Sequence, residues 1–473
     1  MAEIRNVSRE ELEAQRGIMA RMAQRNAALE QQPLALVDTY GCQQNEADSE
    51  RIRGMLREMG WAFTELEEEA DLIVVNTCAV RGHAELRALG NVGALSHTKR
   101  ARPDQKIALC GCMVQQAHMV EKVKKSFPYV DLVFGTHELW RLPELLEKLC
   151  TPHKGRIFQA RQIDGERYEG LPVLRSHPVR AWLSIMNGCN NFCTYCVVPY
   201  VRGRERSRAP EQVLQEAREI IAAGHKEIYL LGQNVNSYGK DLGGGTDFSD
   251  LLRALNDLEG DFILRFMTSH PKDASEKLFE TMAACEKVEK HIHLPVQAGN
   301  DRVLKAMNRV YDSEAYLKKV DFARQCMPDI AITSDIIVGF PGETDEEFQD
   351  TLELVRRVRF DMLFTFLYSP RVGTPAAAMP DPFTKEQKQK RFDALLKLQN
   401  TIVSETQAAH VGSIYRVLID GKTEQPGVLS ARSSHNRLVH VEGPESLVGS
   451  FRQVEITDSS TWNLKGRLLK EGD

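Results

Sequence analysis

A chain of 473 residues, 42% of them hydrophobic, exceeds what a single core usually serves, so two to four domains are expected, each able to bury its own core. The formal net charge of −5 excludes a strongly basic protein that coats nucleic acid without specificity; any contact with nucleic acid has to be local. Ten cysteines, with neither a cationic apolar leader nor an apolar run of bilayer length, predict a soluble protein of the reducing cytoplasm without disulfides.

Residues 1–32 form an N-terminal extension. Residues 1–31 hold five Glu and five Arg with weak apolar periodicity, which predicts an exposed helix or a loosely attached segment without chemistry. The next unit, residues 33–150, alternates short apolar runs with amphipathic stretches. LALVDTY precedes a helix near Asp48 to Met59, DLIVVNT precedes one near Arg81 to His97, and KIALC follows. That order predicts an open parallel α/β sheet. Cys42, Cys78 and Cys112 each stand just beyond one of the three runs, where the loops of such a sheet form its binding edge, so the three thiols can converge on one metal site. Cys110 competes with Cys112, but it belongs to the strand-like run, whereas Cys112 lies past Gly111 in the turn. Accidental placement among ten cysteines is the alternative.

A stretch with Pro152, Gly155, Gly165, Gly170, Pro172 and Pro178 reads as a linker. Within residues 175–405 six apolar runs recur with helical segments between them: AWLSIM, EIYLLGQ, LRFMTSH, HIHLPVQ, ITSDIIVG and MLFTFLY. They predict an incomplete (β/α)6 barrel. Polar residues gather where the runs end: Gln233, Asn234, Ser269, His270, Gln297, Asp335 and Gly339, then Pro341, Gly342 and Glu343. Together they read as a pocket at the rim, although His270 or His293 taken singly reads as a capping residue.

The first of these runs leads into GCNNFCTYC, whose Cys189, Cys193 and Cys196 are spaced to share one site that Cys150 and Cys285 lie too far away to complete. Three thiolates on a four-iron cluster leave one iron open to a small molecule. A Cys3His zinc site borrowing His177 or His225, or three buried thiols, is the competing reading. Six residues beyond Cys196 come Arg202, Arg204, Arg206 and Arg208 around Glu205, a local basic run suited to an RNA backbone or to solvent. Residues 408–471 read as a polar helix's sequel of short strands, VGSIYRVLID, RLVHVEG, SFRQVEITD and KGRLL, broken by Gly, Pro and Ser. They predict a small all-β barrel of the OB-like kind that often binds oligonucleotides.

CNNFCTYC matches the CxxxCxxC signature of radical S-adenosylmethionine enzymes, with Tyr195 directly before the last cysteine. Together with YGCQQN, VNTC, CGCMVQ and a terminal barrel resembling a TRAM domain, the chain from about Pro33 onward resembles the methylthiotransferases, and VVPYVRGRERSR resembles those that make 2-methylthio-N6-dimethylallyladenosine in tRNA. The resemblance implies two [4Fe-4S] clusters. Cys189, Cys193 and Cys196 would hold the one whose free iron chelates S-adenosylmethionine, from which an electron releases a 5′-deoxyadenosyl radical. Cys42, Cys78 and Cys112 would hold an auxiliary cluster that supplies or carries sulfur to C2 of an isopentenylated adenosine beside the anticodon. Tyr195, Gln233, Ser269, Gln297 and Asp335 would line the place of S-adenosylmethionine or the base. A tRNA carrying isopentenyladenosine and an external electron donor are the implied partners of a monomeric enzyme that needs no membrane. A sibling acting on threonylcarbamoyladenosine or on a ribosomal protein, and a zinc-stabilised noncatalytic RNA-binding protein, are the alternatives. Three departures from the pattern are the extension before Pro33, the extra Cys110, and Gln44 where the family more often has methionine.

Overall fold

The computed structural model describes residues 4–80, 82–151 and 155–469. The chain divides into two compact units: residues up to 176 with 186–190 and 196–208, and the remainder.

The first unit is built on a six-stranded parallel sheet in the order Ala62–Phe63, Leu34–Thr39, Leu72–Thr77, Lys106–Gly111, Leu132–Phe134 and Ile157–Gln159. Leu72–Thr77 is buried at all six positions, the signature of a central strand covered on both faces. Leu72 and Val74 pack into one core with Met55, Leu56 and Leu146, while Ile73 and Val75 pack into the other with Val92, Leu95 and Met119. Helices thus flank both faces, as the alternating pattern predicts.

Two expectations for this unit are corrected. The extension forms the expected helix, exposed along its outer side, but it is not loosely attached. Its helix Arg9–Ala27 opens on a capping box made by Ser8 and Glu11 and buries Ile18, Met19 and Met22 in the first core. Arg5–Asn6 adds a short parallel strand beside Glu166–Arg167, and Asn26 Nδ2 donates to the Met59 carbonyl at 2.8 Å. Nor is the stretch after Cys150 a linker. Pro152 lies outside the described residues, but Ile157–Gln159 is the sixth strand, Trp140 Nε1 donates to Glu166 at 2.9 Å, and Ser176 N donates to Glu50 at 3.0 Å.

In the second unit the six expected runs are strands: Arg180–Ser184, Glu227–Leu231, Ile263–Phe266, His291–His293, Ala331–Val338 and Met362–Leu367. They pair in parallel as two three-stranded halves, joined by a bridge between Leu264 and Val288, to give a (β/α)6 partial barrel. Residues 414–468 close into a five-stranded barrel around Val417, Ile419, Val439 and Ile456. It docks at the amino-terminal ends of the partial-barrel strands. There Arg180 meets Asp420 at 3.5 Å, Arg265 donates to the Ser433 carbonyl at 3.0 Å, and Arg437 pairs with Asp361 at 2.6 Å.

Candidate metal centres and their surroundings

Cys42, Cys78 and Cys112 follow strands Leu34–Thr39, Leu72–Thr77 and Lys106–Gly111, which are neighbours in the sheet, so three successive strand ends deliver three thiols to one edge. Cys42 is the N-cap residue of helix Gln43–Glu58, and its thiol is pushed up by hydrogen bonding to Cys78 and by burial. Val80 N donates to Cys78 Sγ at 3.3 Å, and Asn45 Oδ1 accepts from Cys42 Sγ at 3.6 Å. Cys110 is buried in the apolar core with Leu132 and Phe134. Burial pushes its thiol up as well.

Arg202 is 6% exposed and lies against the same thiols. Its Nε donates to Cys112 Sγ at 3.1 Å, one Nη to Asn45 Oδ1 at 3.0 Å, and the other pairs with Asp48 at 2.7 Å. Gln44 Nε2 also donates to Asp48, so the residue that departs from the methionine pattern joins this network. Burial opposes the charge on Arg202, yet Asp48 and the thiols of Cys112 and Cys42 outweigh it and hold the guanidinium protonated.

The basic run is therefore corrected for three of its four members. Arg206 is buried and donates to the carbonyls of Asp164, Arg202 and Arg204. Arg208 is held by Glu169 at 2.7 Å, and only Arg204, near Asp164, keeps about half its side chain in water. A guanidinium already satisfied inside the fold cannot grip a phosphate without breaking those bonds. The run instead clasps the second cysteine loop. Arg206–Ser207 pairs antiparallel with Met186–Asn187, Cys189 N donates to the Gly203 carbonyl at 3.1 Å, and Glu205 accepts from Asn190 N at 3.2 Å.

Within the second unit, Cys193 is held by a segment that no sequence motif marks. Arg309 donates to Cys193 Sγ at 3.4 Å, to the Pro295 carbonyl at 2.6 Å and to Tyr311 Oη at 2.7 Å. Asn308, itself at φ +60°, donates to the carbonyls of Asn191 and Phe192, and Thr194 N donates to the Met307 carbonyl. Arg309 stands more than a hundred residues beyond the cysteines, so spacing could not reveal it. Asn45 and Asp48 were legible in principle, since three and six residues past Cys42 fall on one face of a helix.

Tyr195 packs partly buried beside Ala298, Leu304 and Phe340. Gln233 and Ser269 follow their strands, and Ser269 Oγ donates to Asn236 Oδ1 at 3.3 Å. Gln297 is buried at φ +75°, a backbone region costly for a residue with a Cβ, and is fixed between Asp335 and Ile337 by two backbone bonds. Asp335 lies within its strand, not at its end, 3.5 Å from His293 Nε2. His270 Nδ1 accepts from Lys272 N, as expected of a capping residue, and burial, reinforced by Arg309, lowers its pKa to about 2. The neutral ring then carries its proton on Nε2. That atom, Asn236 Nδ2 and Asn234 Oδ1 are buried without a hydrogen-bond partner at these strand ends.

Among the described residues no three His, Cys, Asp or Glu side chains are grouped to hold a single metal ion. A four-iron cubane spreads its thiolates over separate corners, wider apart than the ligands of one ion. The donors aimed at Cys78, Cys112 and Cys193 suit thiolates, and iron binding would deprotonate thiols that burial otherwise keeps neutral. His177, one candidate fourth zinc ligand, accepts at Nδ1 from the amides of Val179 and Arg180.

Residues 183–355 match the Radical SAM superfamily, residues 35–135 the Uncharacterized protein family UPF0004, and residues 408–469 the TRAM domain. The chain is 48% identical over 438 residues to a tRNA-2-methylthio-N(6)-dimethylallyladenosine synthase of Acetivibrio thermocellus, covering 92% of this chain and 91% of that one. It is 47% identical over 465 residues to the synthase of that name from a Thermoanaerobacter species, covering 98% of each. Among solved structures, the radical S-adenosylmethionine methyltransferase TsrM from Kitasatospora setae, with cobalamin and a [4Fe-4S] cluster bound, aligns at TM-score 0.55 and 14% identity, covering 84% of this chain and 77% of that one. That likeness is one of fold. On the strength of near-complete coverage at almost half identity, the chain belongs to the family of tRNA-2-methylthio-N(6)-dimethylallyladenosine synthases.

Proposed function

We propose that this chain methylthiolates C2 of N6-isopentenyladenosine next to the anticodon of tRNA, giving 2-methylthio-N6-isopentenyladenosine. The observation that carries this reading is similarity running through nearly the whole of both chains to synthases named for that product. The arginine run no longer argues for an RNA substrate over a protein one, since three of its side chains are satisfied internally. The relatives' named product and the TRAM match support the RNA substrate instead.

Cys189, Cys193 and Cys196 would hold one [4Fe-4S] cluster together with S-adenosylmethionine, and Cys42, Cys78 and Cys112 a second. When bound, these groups supply the radical that takes hydrogen from C2 and the sulfur that replaces it. The protein's part is placement. Arg309 and the residues before it fix the Cys193 loop, and the Arg202–Ser207 clasp fixes the loop at Cys189. Tyr195, Gln233, Ser269, Gln297 and Asp335 would wall S-adenosylmethionine or the base. The unpartnered His270 Nε2, Asn236 Nδ2 and Asn234 Oδ1 add hydrogen-bonding capacity that a bound ligand would satisfy. A carbon radical is lost to stray hydrogen donors unless the target C–H is in contact and water is excluded, so the base has to leave its stack, which a single-stranded loop permits at small cost. Arg204 remains the member of the basic run suited to the RNA backbone. An external electron donor and a monomeric state complete the reading.

The test is nucleoside mass spectrometry of tRNA from cells lacking this protein. Isopentenyladenosine without its methylthio group, restored by the wild-type chain and not by Cys42→Ala, is the expected result. An unchanged level of the methylthiolated nucleoside would overturn the assignment.

A further inference from the structure

We infer that Arg202 is a positioning residue that raises the reduction potential of the cluster on Cys42, Cys78 and Cys112, and that Asp48 tempers it. The inference rests on the proposal that these three thiols hold an iron–sulfur cluster. Each nitrogen of the guanidinium has its own partner: Nε on Cys112 Sγ, one Nη on Asn45 Oδ1, the other on Asp48. Asn45 Oδ1 in turn accepts from the thiols of Cys42 at 3.6 Å and Cys112 at 3.9 Å. One planar cation thus donates directly to the sulfur of Cys112 while its other two nitrogens are held by Asn45 and Asp48, a fork that a lysine's point charge cannot copy.

The neighbouring Arg206 places one terminal nitrogen, Nη1, on the main-chain carbonyls of Asp164, Arg202 and Arg204. Arg202 is as buried but spends its Nε on sulfur. With 7% of its side chain exposed and 9% of that of Asp48, the field between them and the sulfur is little screened by water or salt. Hydrogen bonds and net charge at the sulfurs are among the levers that set a cluster's potential. Reduction adds a negative charge to the cluster, which a cation beside it favours and an anion beside it opposes. Arg202 therefore shifts the potential up, and the carboxylate of Asp48, which also meets Arg51 at 3.4 Å, shifts it back down. Arg202 also closes the short helix Val198–Arg202 that follows Cys196, so the chain itself links the donor at one thiol triad to the last cysteine of the other.

The experiment is a potentiometric titration of the anaerobically reconstituted holoenzyme, followed by electron paramagnetic resonance, for wild type, Arg202→Gln and Asp48→Asn, with iron and sulfide counted in each. The second cluster is expected at lower potential in Arg202→Gln and at higher potential in Asp48→Asn, while the cluster on Cys189, Cys193 and Cys196 stays where it is. Potentials unmoved in both variants, or moved in the same direction as a merely loosened site would give, overturn the inference. Should the glutamine variant lose the second cluster, Asp48→Asn decides alone, an upward shift supporting and any other result overturning. A wild-type protein with only one cluster would overturn the underlying two-cluster proposal, and this inference with it.

Discussion

Gly41 stands immediately before Cys42 at φ +135°, and a Cβ placed on it would lie 2.3 Å from the Cβ of Cys78. Cys42 and Cys78 thus approach each other because this position has no side chain. Gly41→Ala is expected to cost about 1–3 kcal/mol in strain and to force Cys78 off the shared edge. Its iron content should fall by roughly half, as expected for losing one of two four-iron clusters, while cleavage of S-adenosylmethionine continues. Gly224→Ala is the control, since Gly224 has φ +92° but nothing within 4 Å of the added Cβ. Equal iron in the two variants, read by colorimetric assay, would contradict the role given to Gly41. At this scale the placing of Cys42, Cys78 and Cys112 after three strands was legible because their positions after apolar runs are linear properties of the chain. Arg202, Arg206 and Arg208 were misread for the opposite reason. Charge in a sequence does not say which way a side chain points, and Arg202 turns inward to Asp48.

Helix Arg9–Ala27 illustrates what pattern reading misses at the level of elements. Its apolar stripe is only Ile18, Met19 and Met22, set among charged residues and flanked by buried Gln15 and Asn26, so its periodicity is faint although its inner face belongs to the core. Met22 is 3% exposed. Met22→Ala should destabilise the first unit by about 2–4 kcal/mol, the usual cost of emptying a buried methionine site, measured by urea denaturation. A loss under about 0.5 kcal/mol, typical of surface positions, would restore the loosely attached extension. The long strands Leu34–Thr39, Leu72–Thr77 and Lys106–Gly111 were readable because each carries a continuous apolar run. Ala62–Phe63, Leu132–Phe134 and Ile157–Gln159 are too short to declare a period, and only their neighbours in the sheet define them.

Over the molecule as a whole, both barrels and the parallel sheet were visible in the order of apolar runs, but the docking of the terminal barrel was not. Its contacts depend on Arg180, Glu227, Arg265 and Glu289, a charged group whose members lie far apart in sequence. Arg265 is fully buried between Glu227 at 2.6 Å and Glu289 at 3.2 Å. An arginine inside the apolar run LRFMTSH is the one local sign that this strand faces charged partners. The terminal barrel consequently caps the amino-terminal ends of the strands, while Gln233, Ser269 and Gln297 follow their carboxyl-terminal ends.

The division of labour between two cysteine triads is tested most directly by counting iron and acid-labile sulfide in anaerobically reconstituted protein, beside the variant carrying Cys42→Ala, Cys78→Ala and Cys112→Ala. Two four-iron clusters require about eight irons in the wild type and about four in the variant, with S-adenosylmethionine still cleaved and methylthiolation of tRNA abolished. The same iron content in both proteins, or colourless protein holding zinc, would contradict it.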